Sequence, residues 1–257
     1  MRTFRVLLAH ELHLLAITAS TYIAAAVFLG LTGFLYWFSL HQATDPSVNG
    51  GPTPVQSWFG VFWVPALVII PQITMRAFAG ESRSGMLGAL FSTPVRPFQV
   101  VCAKFVAAYF FHMLLWVLAL LFPLMAYWLL PGAQHSADGL LPLPTLLGGF
   151  VFVATSGSLY VATGLLASSL TRSTLVAALL CICALLLLLT AGSLLQQINP
   201  GLHVATDYVA ARASYLDTFR HLDLFLRGIV DTRPLFLFGS GTMLALGLAT
   251  LFVKNKA

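Results

Sequence analysis

The sequence predicts an all-α integral membrane protein. We expect six transmembrane helices, an N-terminal interfacial amphipathic helix, a short cytoplasmic helix between spans 2 and 3, and an external helical segment between spans 5 and 6. Of the 257 residues only 8% are charged and 59% are hydrophobic, and the mean hydropathy is +0.90, which is far from the balance of a soluble domain. The apolar runs are about 20 residues long or longer, enough to cross roughly 30 Å of hydrocarbon. These observations favour one polytopic bundle over residues 1–257.

The first element is an amphipathic stretch between residues 2 and 15. We expect it to form a helix that lies in the membrane interface before the first span. The alternative is that it continues the first span outward. No small-residue cleavage site follows a short apolar core, so we expect no cleavable signal peptide. The residues that carry the helical period are Phe4, Leu7, Leu8, Glu11 and Leu12.

Six apolar runs follow and are the predicted spans. The third and fourth exceed the minimum length, so we expect their ends to project beyond the hydrocarbon or to tilt within it. Pro65, Pro71 and Pro123 lie inside spans and are candidate bends, static or moving, because proline removes a helix hydrogen bond. The predicted spans cover residues 18–40, 58–78, 98–130, 143–170, 174–195 and 235–253.

The distribution of Lys and Arg predicts the orientation, because short loops rich in these residues stay in the cytoplasm. Most of the 13 basic residues fall at the termini, between spans 2 and 3, and at Arg172. The loops on the other side, residues 41–57 and 131–142, contain no Lys or Arg. We therefore expect a multi-pass protein of the bacterial cytoplasmic (inner) membrane with both termini in the cytoplasm. The net charge of +5 suits contact with anionic membrane lipids and does not indicate a nucleic-acid partner.

A short helix is predicted for residues 84–92, within the loop between spans 2 and 3. Its apolar residues fall at positions i, i+1, i+4 and i+5 and so share one face. The helix ends before Pro94. Such a helix can fit into a groove of a partner protein, although it could instead rest on lipid headgroups. The apolar face consists of Met86, Leu87, Leu90 and Phe91.

No catalytic, cofactor or metal site is predicted, so we expect no enzyme. The chain has no G-x-x-x-x-G-K-[ST] motif, and P-loop binding of ATP is expected only in another polypeptide. His112 lies deep in the third span, and no carboxylate falls within a predicted span to orient it. The alternative is a lipid-modifying enzyme, which would need the external acidic residues for its chemistry. Four arginines are interleaved with these residues, and this favours ion pairing instead. The acidic residues are Asp207, Asp217, Asp223 and Asp231.

Two stretches of the chain resemble ABC-2 type exporter permeases, most closely the gliding-motility-associated branch near the copper-maturation permeases. The first is similar to the pattern TMR-x-FA-E-E-x-R-x-G-T-x-E-x-L-L-T-x-P, followed by G-K-F. It matches at Thr74-Met75-Arg76, Phe78-Ala79, Glu81, Arg83-Ser84-Gly85, Leu87, Leu90, Thr93-Pro94 and Lys104-Phe105. The second is similar to F-x-x-F-x-R-G-[IV]-[IV]-D and matches at Phe225, Arg227, Gly228 and Asp231.

The resemblance implies a permease that dimerises with a second permease, identical or related. It also implies that helix 84–92 is a coupling helix, seated in a separate P-loop ATP-binding subunit that holds ATP and Mg²⁺. The second stretch would cover the external end of the translocation path through Phe225, Arg227, Gly228 and Asp231. The implied contacts with the ATP-binding subunit are Arg76, Glu81, Arg83, Gly85, Met86, Leu87, Leu90, Phe91 and Pro94.

Four residues depart from the first pattern, and three of them remove polar groups expected near the coupling helix. Gly80, Met86 and Gly88 stand where the pattern has polar residues, and Ala103 replaces the glycine before Lys104. Contact with the ATP-binding subunit would then be more apolar than the pattern implies. We expect an amphipathic, lipid-like or polymeric substrate, or mechanical work on an extracytoplasmic partner protein. A non-transporting scaffold or sensor subunit is the alternative.

Overall fold

The computed structural model describes residues 2–43, 51–85, 96–129, 141–198, 215–229 and 231–256, and every regular element in these ranges is a helix. The all-α fold class is confirmed. Six segments are long and apolar enough to cross a membrane: 19–43, 63–83, 97–129, 143–170, 174–194 and 232–255. The helices are α1 (Arg2–Ile17), α2 (Ala19–Ala43), α3 (Pro54–Gly60), α4 (Trp63–Thr74), α5 (Ala79–Ser84), α6 (Pro97–Ala119), α7 (Leu121–Leu129), α8 (Leu143–Leu170), α9 (Thr174–Ile198), α10 (Thr218–Leu226) and α11 (Thr232–Lys256).

The N-terminal amphipathic stretch is a separate helix, α1. Regular helix is interrupted at Thr18, whose hydroxyl donates a hydrogen bond of 2.6 Å to the carbonyl of Leu14. A threonine that bonds the preceding turn in this way often bends a helix. Helix α1, which precedes this interruption, packs mainly against α6 and does not continue α2 outward. The uninterrupted extension of the first span is therefore not observed.

Two of the three candidate proline bends coincide with interruptions. The predicted second span is split into α3 and α4 at residues 61–62, just before Pro65. The third is split at Leu120, three residues before Pro123. In both cases the proline has no N–H to donate to the preceding turn, which favours a break there. Pro71, by contrast, lies within the unbroken helix α4.

Helix α8 is the centre of the bundle and packs against α3, α4, α5, α6, α9, α10 and α11. Small residues let its neighbours approach closely, as expected for helices in a membrane. A Cβ atom on Gly157 would lie 2.7 Å from Nε2 of His112, and one on Gly164 would clash with the side chain of Thr74. The small residues of this span are therefore used for packing within the chain, and His112 fills the space beside Gly157.

The bundle has two ends, which we name after the short helices that lie there. At the α10 end, Gly148 of α8 meets the backbone carbonyl of Phe225. At the α5 end, Ser168 of α8 meets the backbone around Phe78. Gly148 and Ser168 are about 30 Å apart along the helix, because each residue rises 1.5 Å. This separation equals the hydrocarbon thickness of a bilayer.

Candidate functional site

The α5 end carries the first motif, of which the structure describes residues 74–85 and Lys104-Phe105. The chain turns after α4 ends at Thr74 and enters α5 at Ala79. Helix α5 ends at Ser84, and Gly85 then has a φ of +73°, with its N–H bonded to the carbonyl of Glu81. Left-handed backbone of this kind favours glycine, which has no Cβ to clash. The motif glycine is therefore a helix terminator.

This geometry changes the boundary of the predicted coupling helix. Ser84 was expected to begin a helix over residues 84–92, but it is the last residue of α5, and the left-handed Gly85 ends that helix. Five of the predicted contacts with an ATP-binding subunit lie outside the residues that the structure describes and stay predictions. They are Met86, Leu87, Leu90, Phe91 and Pro94.

Ser168 of α8 fixes the start of α5. Its hydroxyl oxygen accepts hydrogen bonds of 3.1 Å from the N–H groups of Phe78 and Ala79, and it donates one of 3.1 Å to the carbonyl of Met75. The first N–H groups of a helix have no partner inside the helix and need a cap. Phe78, at the N-cap position, has no side-chain hydrogen bond that could cap α5. The cap therefore comes from another helix, and all hydrogen-bonding positions of the fully buried Ser168 hydroxyl are used.

Lys104 of α6 lies at the centre of what we call the ion cluster, formed with Glu11 and Glu81. Its Nζ lies 2.7 Å from Oε1 of Glu11 and 2.5 Å from Oε1 of Glu81. The lysine side chain is only 3% exposed, whereas the two glutamates are 17% and 20% exposed. An ammonium group this deeply buried needs such partners, because its desolvation is costly. The ion cluster ties α1, α5 and α6 together.

The aromatic ring of Phe78 adds a further contact to the ion cluster. Nζ of Lys104 lies 5.7 Å from the ring centroid, within the range of a cation–π interaction. Phe78 is itself buried, with 1% of its surface exposed. Phe78, whose N–H is capped by Ser168, thus also contacts Lys104. The two side chains that hold α5 in place, Ser168 and Lys104, therefore lie next to the same residue.

The charged residues predicted to contact an ATP-binding subunit differ in their surroundings. Arg76 and Arg83 are exposed, and Nη1 of Arg76 lies 3.4 Å from Oγ of Ser20. Glu81 is mostly buried and bonded to Lys104 within the chain. An intermolecular role for Glu81 stays a prediction, whereas its intramolecular role is observed.

A cavity of about 340 Å³ lies beside the ion cluster, between α1, α2, α4 and α6. Gln72, Arg76 and Lys104 line its polar side, and Leu14 and Ala108 belong to its apolar side. Gly80 and Glu81 of α5 also line this space, so α5 borders the cavity on the side of the ion cluster.

The second motif lies at the α10 end, where its residues shape the chain between α10 and α11. Phe225 is fully buried, with its ring centroid 5.8 Å from that of Phe152. Arg227 is exposed and pairs with Asp223 at 2.9 Å. Gly228 has a φ of +78°, and Gly85 and Gly228 are the two residues with positive φ in the part of the chain that the structure describes. Both motifs therefore place a glycine where left-handed backbone requires it.

The acidic residues that were predicted to be external have structural roles where the structure describes them. Oδ1 of Asp217 accepts hydrogen bonds from N–H groups in the first turn of α10, and Oδ1 of Asp231 accepts one of 3.0 Å from the N–H of Arg233. Asp223 is paired with Arg227. Asp207 lies outside the described residues. These contacts of the three carboxylates are thus helix capping and ion pairing within the chain.

Sequence reasoning did not find the ion cluster or the Ser168 cap. Two features could have indicated the cluster: Glu11 lies among the apolar positions of the first helix, and Lys104 lies inside a span. An ionisable group in either place needs a nearby partner. No local pattern distinguishes Ser168 from Ser169, because both are small residues near the end of an apolar helix.

Comparison with known proteins agrees with the architecture. A family model described as an ABC-2 family transporter protein matches residues 38–253, most of the chain. No curated protein matches the sequence. The matched range runs from the end of α2 into the last turns of α11 and so includes both motifs. Permeases of this family normally work with an ATP-binding subunit. The chain therefore belongs to the ABC-2 family and is a membrane permease subunit of an ABC transporter.

Proposed function

We propose that this permease belongs to an ATP-driven exporter and that the segment following α4 couples it to a separate P-loop ATP-binding subunit. The observation that carries the proposal is the attachment of α5. The segment that leads into the predicted coupling helix is anchored to α8 through Ser168 and to α6 through Lys104. A partner that displaces the coupling helix would therefore displace groups buried in the bundle.

The route of coupling follows from these contacts. ATP binding would close a pair of ATP-binding subunits and move the coupling helices seated in them. Movement of α5 would be passed to α8, because Ser168 of α8 forms hydrogen bonds with three backbone groups around the start of α5. The ion cluster would pass it to α6 and, through Glu11, to α1. These are contiguous physical contacts of the kind that can carry energetic coupling.

The remaining parts of the proposal concern assembly, location and substrate. Two permeases, identical or related, would form the path in a bacterial cytoplasmic membrane, with the α5 end and both termini in the cytoplasm. The concentration of basic residues in those segments supports this orientation. The predicted spans carry no row of ionisable residues, which favours an amphipathic, lipid-like or polymeric substrate over a small ion. Mechanical work on an extracytoplasmic partner protein would use the same coupling.

The test is a substitution in the predicted coupling helix, Leu87→Asp, with Arg172→Glu as the control. Arg172 is exposed in the turn between α8 and α9, at the same end of the bundle. The permease is co-purified with its ATP-binding subunit, and stimulation of ATP hydrolysis is measured in lipid nanodiscs. Replacing a central apolar anchor by a carboxylate is expected to weaken the complex by about 100-fold, since interface anchors contribute about 2–4 kcal/mol. The control is expected to retain the complex.

The outcomes separate the candidate functions. Loss of co-purification and of stimulated hydrolysis in Leu87→Asp alone supports coupling through this helix. A complex and activity equal to those of the unmodified protein would overturn that role. A stable complex in which the unmodified permease never stimulates ATP hydrolysis would instead indicate a scaffold or sensor subunit.

A further inference from the structure

Helices α9 and α11 both pack on α8 but leave a groove between them. The groove encloses about 610 Å³, and its walls are almost entirely apolar. It lies within three membrane-spanning segments, so it faces the hydrocarbon region. Each helix contributes leucines to it, among them Leu159 and Leu166 from α8, Leu180 and Leu187 from α9, and Leu237 and Leu244 from α11.

The groove reaches the α10 end of the bundle, where Leu216 and Thr218 line it. The face of α11 that lines the groove continues toward the N-terminus of this helix, where it reaches an arginine. Arg233 precedes the lining residue Leu237 by four positions, and Gly241 follows Leu237 by another four. Residues at this spacing share one face of a helix. Arg233 therefore stands one turn beyond the apolar wall, at the mouth of the groove.

Among the described residues, the Arg233 guanidinium contacts an aromatic side chain. Cζ lies 5.7 Å from the ring centroid of Tyr215, and Nη1 donates a hydrogen bond of 3.4 Å to the Tyr215 hydroxyl. Tyr215 precedes Leu216, which lines the groove. Among the residues that the structure describes, no carboxylate oxygen lies within 4 Å of this guanidinium, whereas that of Arg227 is paired with Asp223. A positive charge thus stands beside the end of an apolar groove.

We propose that the groove binds one acyl chain of an anionic glycerophospholipid and that Arg233 binds its phosphate. Charge complementarity favours this occupant, because a guanidinium offers phosphate a planar pair of donors. The length also fits. From Arg233 to Leu244 the helix rises about 16 Å, which is half of the roughly 30 Å hydrocarbon thickness. A lipid with its phosphate at Arg233 would therefore extend its chain along the groove to the bilayer centre, in the leaflet at the α10 end.

The test measures which lipids stay bound. The full-length protein is reconstituted in nanodiscs containing equal amounts of phosphatidylglycerol and phosphatidylcholine, released into detergent, and analysed by native mass spectrometry. Arg233→Gln is expected to reduce retained phosphatidylglycerol at least fivefold and to leave phosphatidylcholine unchanged. The matched control is Arg220→Gln, at an exposed arginine of α10 at the same end of the bundle. It is expected to retain phosphatidylglycerol as the unmodified protein does.

A second variant tests the position of the chain. Ala184 lines the groove from α9, and Ala184→Trp would fill it. This variant is expected to lose phosphatidylglycerol even though Arg233 is intact. Unchanged retention in Arg233→Gln, or an equal loss in Arg220→Gln, would overturn the proposal, the latter because it would indicate attraction to surface charge in general. Because Arg233 is exposed, Arg233→Gln is expected to fold. This variant therefore tests the proposal even if Ala184→Trp does not fold.

Discussion

Replacing Lys104 by methionine should destabilise the bundle strongly, because it leaves two carboxylates facing each other. The ammonium group makes two charge-assisted hydrogen bonds, to Glu11 and Glu81, and such bonds contribute about 1.5–3 kcal/mol each. Both glutamates keep about a fifth of their surface exposed, so water recovers part of this energy. We expect Lys104→Met to lower the free energy of unfolding by about 3 kcal/mol, at the lower end of the range for a buried pair that loses one partner.

The assay is thermal unfolding in detergent, followed by tryptophan fluorescence. Trp58 and Trp116 are buried with ring centroids 5.8 Å apart and report on the packing of α3 against α6. A loss of this size corresponds to a melting temperature lower by about 6–12 °C. The control is Lys254→Met, which removes an exposed lysine and should change the free energy by less than about 0.5 kcal/mol.

A triple variant separates charge imbalance from loss of packing. Combining Lys104→Met with Glu11→Gln and Glu81→Gln removes every charge of the ion cluster. Replacing all three members by uncharged residues of similar volume removes the charge imbalance, so we expect the triple variant to recover to within about 1 kcal/mol. The reasoning is refuted if Lys104→Met melts within about 2 °C of the unmodified protein. It is also refuted if the triple variant is no more stable than the single one.

Two further substitutions test the local geometry by the same melting assay. Ser168→Ala removes the cap of α5 and leaves buried backbone groups without partners, so we expect a loss of about 2–4 kcal/mol and faster amide exchange in α5. Its neighbour Ser169 donates to the Leu166 carbonyl of its own helix, and Ser169→Ala should cost less than half as much. Gly228→Ala forces a Cβ into left-handed backbone and should cost about 1–2 kcal/mol. Gly239→Ala, whose Cβ would meet no neighbouring atom, should be nearly neutral, and equal melting of these two glycine variants would contradict the turn at Gly228.

The six spans and the separate N-terminal helix could be predicted because their causes are local. Length and apolarity mark a span wherever they occur, and the helical period marked α1. The helix interruptions before Pro65 and Pro123 followed from a missing N–H. The boundary at Ser84 could not be predicted, because apolar periodicity does not reveal that Gly85 adopts left-handed backbone and ends the preceding helix.

The sequence by itself determined that this chain is an all-helical membrane protein, and its two motifs indicated the ABC-2 family. Only the tertiary structure decided which residues anchor those motifs. Lys104 pairs with Glu11, 93 positions away, and Ser168 caps a helix that begins about 90 positions earlier. In a membrane, lipid is as apolar as leucine, so hydrophobicity sets which segments are buried but not which helices meet. That choice depends on close approach and on polar groups finding partners, which exist only once the helices have packed.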